Sequence, residues 1–300
     1  MPAASFSFGG ACVEPMQSHL PLELVDRIVD HLHDSPSDLR NCARVAKAFL
    51  PSSRLHLFYS ISIDERLHRI VTLNSIIQQS PQVALCIREL CVDGRPGWWK
   101  LAPELPTLLT SLTALRHLTM MFIVWTRMPP EVRKAFRTIL ALPSLVSVTM
   151  QFMRFASPRH FTSLLNSPLK RLAVAVRLDD PGNKEMISAI DGEDKIARRP
   201  EQQPCRLESL EHLDWYHTGP DFVDWLLGPQ SVIDISNIRT LVVSGKATIY
   251  VGRLMKSLGP SLEHLTIDMG TSLLYPFQIA YRNFVGTYRH PTGYCCSSWT

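Results

Sequence analysis

One short pattern recurs along this chain and restricts what it can fold into: an apolar residue, two variable positions, an apolar residue, one variable position and a last apolar residue. It occurs as Ile87-Leu90-Val92, Leu115-Leu118-Met120, Leu145-Val148-Met150, Leu169-Leu172-Val174, Leu210-Leu213-Trp215, Ile238-Leu241-Val243 and Leu262-Leu265-Ile267. Its last two apolar positions lie two apart, the period at which strand side chains return to one face. Successive starts are separated by 28 (87 to 115), 30 (115 to 145), 24 (145 to 169), 41 (169 to 210), 28 (210 to 238) and 24 residues (238 to 262). Helix candidates fill the intervals at 102–112, 130–140, 158–165, 220–227 and 249–258, several opening with Pro as a first helical turn allows. Strands joined by helical crossovers run parallel, so the pattern predicts an α/β unit with a parallel sheet.

Five of the six intervals lie at or near the roughly 20–29 residues of a leucine-rich repeat, and the pattern resembles that family. The Asn or Cys that the family places a little after each strand is mostly missing, so the repeats are irregular. The resemblance implies a curved α/β solenoid over 87–275, its parallel sheet lining the inner side. The long interval holds 179–204, with DDPGNKE, DGEDK and RRPEQQP; it is polar and short of aromatics, and is expected as an exposed loop insertion. The pattern frays after Ile267, and 276–300 is expected to form an irregular tail.

The period of two also names the opposite face of the sheet. Between and beside the apolar positions stand Glu89, Cys91 and Asp93, then His117, Thr119 and Met121, then Ser147, Thr149 and Gln151, then Arg171, Ala173 and Ala175. Later units present His212, Asp214 and Tyr216, then Thr240, Val242 and Ser244, then His264, Thr266 and Asp268. This surface is mixed and mostly uncharged, suited to a folded protein or an extended segment. Its expected target-binding residues are His117, Thr119, Met121, Thr149, Gln151, Arg171, His212, Asp214, Tyr216, His264 and Asp268.

Upstream lies a different kind of segment, 20–63. Leu24, Val25, Ile28, Val29 and Leu32 form an apolar stripe on a first helix, with Glu23, Asp26 and Asp30 turned to water. Ser35-Pro36-Ser37-Asp38 predicts the N-terminus of a second helix, which carries Leu39, Cys42, Ala43, Val45, Ala46 and Phe49. Pro51 is expected to break it, and Ser52-Ser53 to start a third helix with Leu55, Leu57 and Phe58. So small a unit buries little of its own surface. Its apolar content exceeds what one small core hides, and the remainder calls for a partner protein.

These residues resemble the F-box, of the fungal type. The family's Leu-Pro-x-Glu opening, first-helix apolar residues, Leu-x-x-Cys-x-x-Val-x-Lys-x-aromatic run, Arg and closing Leu-Phe are matched here. They are Leu20-Pro21-Leu22-Glu23, then Leu24, Ile28 and Leu32, then Leu39, Cys42, Val45, Lys47 and Phe49, then Arg54 and Leu57-Phe58. Phe49 stands where Trp is common and Ala46 where Ser or Cys is frequent. The resemblance implies a three-helix F-box that binds a Skp-family adaptor through Leu20, Pro21, Leu24, Ile28, Leu32, Cys42, Val45 and Phe49, and through the adaptor a cullin. The whole chain then reads as a mainly α plus α/β protein: leader 1–19, expected to be disordered, F-box 20–63, linking helices 64–86, repeat domain 87–275 and tail 276–300. A helix from about 65 to 79, capped by Asp64, opens the linking segment.

Composition excludes several other classes. A net charge of +4 over 300 residues suggests neither a nucleic-acid nor a polybasic membrane partner. Seven cysteines without C-x-x-C spacing fit reduced thiols and no metal site, so a cytoplasmic or nuclear location is expected. The first 19 residues lack the charged and hydrophobic regions of a signal peptide. His31 and His33 face different sides of a helix, unlike a metal pair. Glu208, His212, Asp214 and His217 look like a cluster, yet only His212 and Asp214 share a strand face. Trp98 and Trp99 are read as covering the first repeat before they are read as a partner patch, and Arg133, Lys134 and Arg137 as a solvated basic helix face. No nucleotide, zinc-protease or hydrolase motif is present, and no cofactor is expected. The expected function is substrate recognition for an SCF-type (Skp, cullin, F-box) ubiquitin ligase, without catalysis. The alternative is a scaffold that binds the adaptor without a cullin.

Overall fold

The computed structural model describes residues 20–95, 97–155, 161, 168–178, 207, 209–216, 220–228, 231, 233–244, 250–258 and 260–268. The expected leader 1–19, insertion 179–204 and tail 276–300, and all but one residue of the expected helix 158–165, lie outside the described residues. The chain divides into two compact units, 1–53 and 54–300.

Within the first unit, α1 spans Leu22–His31 and α2 Pro36–Val45, followed by a 3-10 turn Lys47–Phe49 and the start of α3, Leu50–Tyr59. Pro36 occupies the first turn of α2, as its missing N–H allows. The Ser35 carbonyl accepts the Leu39 N–H, but the Ser35 hydroxyl caps no backbone N–H and donates instead to the Asp38 carboxylate at 2.6 Å. Two boundaries differ from expectation. Ala46 is extended (φ −152°, ψ 150°), so α2 ends before Phe49. Pro51 then sits in the first turn of α3, where it starts a helix and breaks none. The Ser52 hydroxyl donates to the Asp26 carboxylate of α1.

Among the described residues, the second unit is built on an eight-stranded parallel sheet whose spatial order is its chain order. The strands are β1 Ser60–Ile63, β2 Glu89–Asp93, β3 His117–Met121, β4 Ser147–Phe155, β5 Arg171–Leu178, β6 His212–Tyr216, β7 Thr240–Ser244 and β8 His264–Asp268. All seven sequence units form strands in mutual register; Leu90, for example, faces Leu118, then Val148, Leu172, Leu213, Leu241 and Leu265 in turn. An eighth unit, Phe58-Ile61-Ile63, starts 29 residues before Ile87 (58 to 87) and supplies β1. It was hidden at the end of the helical N-terminal pattern.

Crossovers carry α4 Leu67–Gln79 and α5 Gln82–Cys86 after β1, α6 Leu105–Ser111 after β2, α7 Pro130–Leu140 after β3, α8 Pro220–Leu226 after β6 and α9 Val251–Ser257 after β7. The helix expected from about residue 65 begins at Leu67, because Asp64 accepts the N–H of Arg66 and so holds the preceding turn. α4 packs on α6 and α6 on α7. Between helices and sheet the first apolar residue of each unit from Ile87 to Ile238 is buried, as are Val92, Met120, Met150, Val174, Trp215 and Val243. Aromatic rings in edge contact extend this core: Trp125 with Phe136, Phe155 with Phe161, Phe161 with Phe222, and Phe222 with Trp215.

Arg133 is buried, contrary to a wholly solvated basic face on α7; it stands three and seven residues before Phe136 and Leu140, on the side that packs inward. Trp98 and Trp99 are buried too, with the Trp98 indole N–H donating to the Asp93 carbonyl at 2.8 Å, so they close the end of β2 as the core reading expects.

The strand ends are tightly built. Phe122 (φ 56°) and Phe152 (φ 53°) both adopt the left-handed region, a costly choice for a bulky side chain, and Phe152 forms a bulge in β4. Their rings stack at 5.0 Å, and the Arg95 guanidinium lies 4.5 Å from the Phe122 ring centre. At Gly94 a Cβ would meet Trp99 at 2.3 Å, Ile123 at 2.7 Å and the Phe122 carbonyl at 2.9 Å. Gly94→Ala is therefore expected to lower stability by about 1–3 kcal/mol, the scale of overpacking a filled site. Urea denaturation of the variant checks this.

Candidate protein-binding surfaces

In α1 the apolar stripe divides. Val25 and Val29, four apart, are buried, while Leu24 and Ile28, also four apart, are 44% and 42% exposed. Leu20, just before the helix, is 45% exposed and continues the outer row. Of the residues that the F-box resemblance assigns to an adaptor, Leu20, Pro21, Leu24, Ile28 and Val45 are exposed, and Leu32, Cys42 and Phe49 are half-buried. Leu22, outside that set, is 63% exposed. Leu39 is buried and belongs to the internal core.

The second surface is the polar face of the sheet. Register aligns Glu89, His117, Ser147, Arg171, His212, Thr240 and His264 in one row, preceded by Ser60. The next row holds Ser62, Cys91, Thr119, Thr149, Ala173, Asp214, Val242 and Thr266. Met121 faces Gln151, and Tyr216 is followed by Ser244 and Asp268. All eleven expected target-binding residues thus share one face. Arg171 and His264 are exposed, Asp214 is buried, and the other eight are half-buried. Of the four-residue cluster, His212 and Asp214 share this face, while Glu208 and His217 lie outside the described residues.

Arg171 and Asp214 form its central ion pair. An Arg171 guanidinium N–H donates to the Asp214 carboxylate across the β5–β6 step at 2.9 Å, with the Asp side chain only 7% exposed and the Arg 55%. The buried carboxylate is therefore held by a guanidinium whose outer side meets solvent. Tyr216 lies nearby. Burial, then the negative charge of Asp214, raise its phenol to about 12; Arg171 opposes the rise and Asp268 adds to it. Burial and Asp93 likewise push the Cys91 thiol up to about 12, partly offset by a hydrogen bond from Ser62. Both groups stay protonated at neutral pH, so the face offers a hydroxyl donor and no thiolate nucleophile. Among the described residues no group of three His, Cys, Asp or Glu could hold a metal, and no helix is long and apolar enough to cross a membrane.

Two measurements address this face. Arg171→Ala strands the buried Asp214 carboxylate and is expected to cost about 1 kcal/mol, a value reduced by the exposure of the arginine. Arg171→Ala with Asp214→Ala should cost less than the sum of the two single changes, as a double-mutant denaturation cycle will read. For Tyr216, a folded pKa raised above the ordinary phenol value of 10.0 contributes stability that is complete below that pH and lost as pH rises toward about 12. Alkaline titration at the phenolate absorbance should show a late-ionising phenol that Tyr216→Phe removes.

Comparison with protein-family models, with curated proteins and with solved structures finds no match to this chain, so a role has to be argued from the two surfaces themselves.

Proposed function

We propose that this chain is a substrate-recognition subunit of an SCF-type ubiquitin ligase, with residues 20–63 forming an F-box and the sheet-bearing unit a leucine-rich-repeat-like solenoid. The observation that carries the reading is the divided stripe of α1. One apolar row, Val25 and Val29, builds the core, and a second row, Leu20, Leu24 and Ile28, stands in solvent together with Val45. An outer apolar row on so small a unit favours a protein partner. Its residues are those that the F-box pattern assigns to the Skp-family adaptor. The chain-order parallel sheet with recurring crossovers supports the solenoid reading.

The mechanism is proximity. The F-box fixes the chain to the adaptor and thereby to a cullin, while the polar sheet face holds a target protein. A conjugating enzyme elsewhere on the complex then transfers ubiquitin to a target lysine. Holding the two together raises effective concentration, and no residue of this chain performs bond chemistry.

Co-expression with a Skp-family adaptor tests the reading. The wild-type chain is expected to be recovered as a soluble complex, and Leu20→Ala, Pro21→Ala, Ile28→Ala combined to bind roughly a hundredfold more weakly, since three exposed apolar contacts are lost. Retained folding by circular dichroism separates lost contact from lost structure. A folded wild type that binds no adaptor would sink the proposal. Adaptor binding without cullin in the recovered complex would instead assign the scaffold role.

A further inference from the structure

Among the described strands, β8 pairs with β7 alone. Leu265 and Ile267 occupy the rows in which Leu241 and Val243 are fully buried, yet they are 40% and 45% exposed. The backbone is equally open. The His264 N–H donates to the Arg239 carbonyl, on the β7 side, at 2.9 Å. Successive N–H groups of a strand point to opposite edges, so Thr266 and Asp268 share that direction. The N–H and C=O groups of Leu265 and Ile267 therefore face away from β7. An edge of this kind is a template for another strand, and His264-Leu265-Thr266-Ile267-Asp268 contains no Pro or Lys to blunt it.

The strand is also complementary to itself. Laid antiparallel against a copy about Thr266, it sets Leu265 opposite Ile267 of the second copy, Thr266 opposite Thr266 and His264 opposite Asp268. The outward-facing backbone groups are those of Leu265 and Ile267, and in this register they fall on the hydrogen-bonded pairs, which exchange both N–H···O bonds. Thr266 with Thr266 and His264 with Asp268 then occupy the non-hydrogen-bonded pairs, where side chains approach most closely. Apolar, hydroxyl and donor–acceptor pairs of this kind are cross-strand combinations that stabilise a sheet.

The geometry points to a two-fold dimer in which β8 pairs antiparallel with β8 of a second copy of this chain. The axis is perpendicular to the sheet, so each face continues across it. Leu265 and Ile267 of both copies meet on the core side, and the polar faces join into one longer surface. This assembly is independent of whether residues 20–63 bind an adaptor.

Sedimentation equilibrium of the full chain between about 1 and 100 μM tests it, that range spanning ordinary dimer affinities. A species of twice the 33.9 kDa chain mass is expected. Ile267→Lys, at an exposed position, should leave the monomer folded by circular dichroism and abolish the dimer. Asp268→Lys should raise the dimer Kd about tenfold by removing the carboxylate opposite His264, and adding His264→Asp should restore it, because the swap rebuilds both symmetry-related pairs. A wild type that is monomeric throughout overturns the proposal, and slow amide exchange at Leu265 and Ile267 in that monomer would assign the edge to residues following 268. A dimer indifferent to Ile267→Lys, or a swap that fails to restore what Asp268→Lys lost, overturns it as well.

Discussion

At six successive strand starts, two consecutive backbone N–H groups donate to one carbonyl oxygen of the strand before: 116 and 117 to Arg88, 146 and 147 to Arg116, 170 and 171 to Val146, 211 and 212 to Lys170, 239 and 240 to Glu211, 263 and 264 to Arg239. This shared acceptor fixes where each strand begins against its neighbour. Because a parallel pair has no hairpin to set its register, and a slip of one residue would turn every side chain to the other face, the side-chain rows of the sheet depend on it. The same contact lets crossovers vary. Units whose starts lie 24 to 41 residues apart still enter the sheet in step, since the junction and not the helix length decides the alignment.

Register in turn places the chemistry. Arg171 and Asp214 are 43 positions apart in sequence and adjacent in one sheet step. The Tyr216 phenol feels both members of the pair, Asp214 raising it and Arg171 opposing the rise. The resulting polar face carries hydrogen-bonding groups and an internally neutralised ion pair, which projects little long-range field. The outer row of α1 is instead apolar. The two surfaces thus differ in character and lie on separate compact units.

Much of this was legible in the sequence, for a physical reason. A strand's period of two is short, so five or six residues suffice to show which side is inner, and the recurrence of Leu90-like positions confirmed each unit by the next. The division of α1 into two rows was legible only in part. Periodicity locates an apolar stripe, but both Val25 and Ile28 lie within it, and the side that becomes core depends on where α2 and the Lys47–Phe49 turn pack. Helix ends were read less well. Pro51 looked like a stop and proved a start, since the same fixed φ serves both and the preceding Ala46 had already left the helix. Strand β1 was missed because its Phe58-Ile61-Ile63 pattern overlaps a helical one. Phe122 and Phe152 carry left-handed backbone that no residue type announces; a Gly would have signalled it.

The two ends of the sheet show what the repeated pattern specifies. At β1, Ile63 is buried and Ile61 and Phe58 are partly covered. At β8, Leu265 and Ile267 follow the same pattern and remain in solvent. The code of the repeat is therefore a code for a layer: each apolar pair is written for a neighbour on both sides, and supplies only half of its own burial. Interior strands meet that condition automatically, and end strands never do. β1 is nevertheless largely covered without a strand on its outer side, whereas β8, the last described strand, leaves its apolar pair open. Among the described strands, the unmet half of that code therefore lies at β8, whose apolar pair is built for a neighbour on both sides and has one.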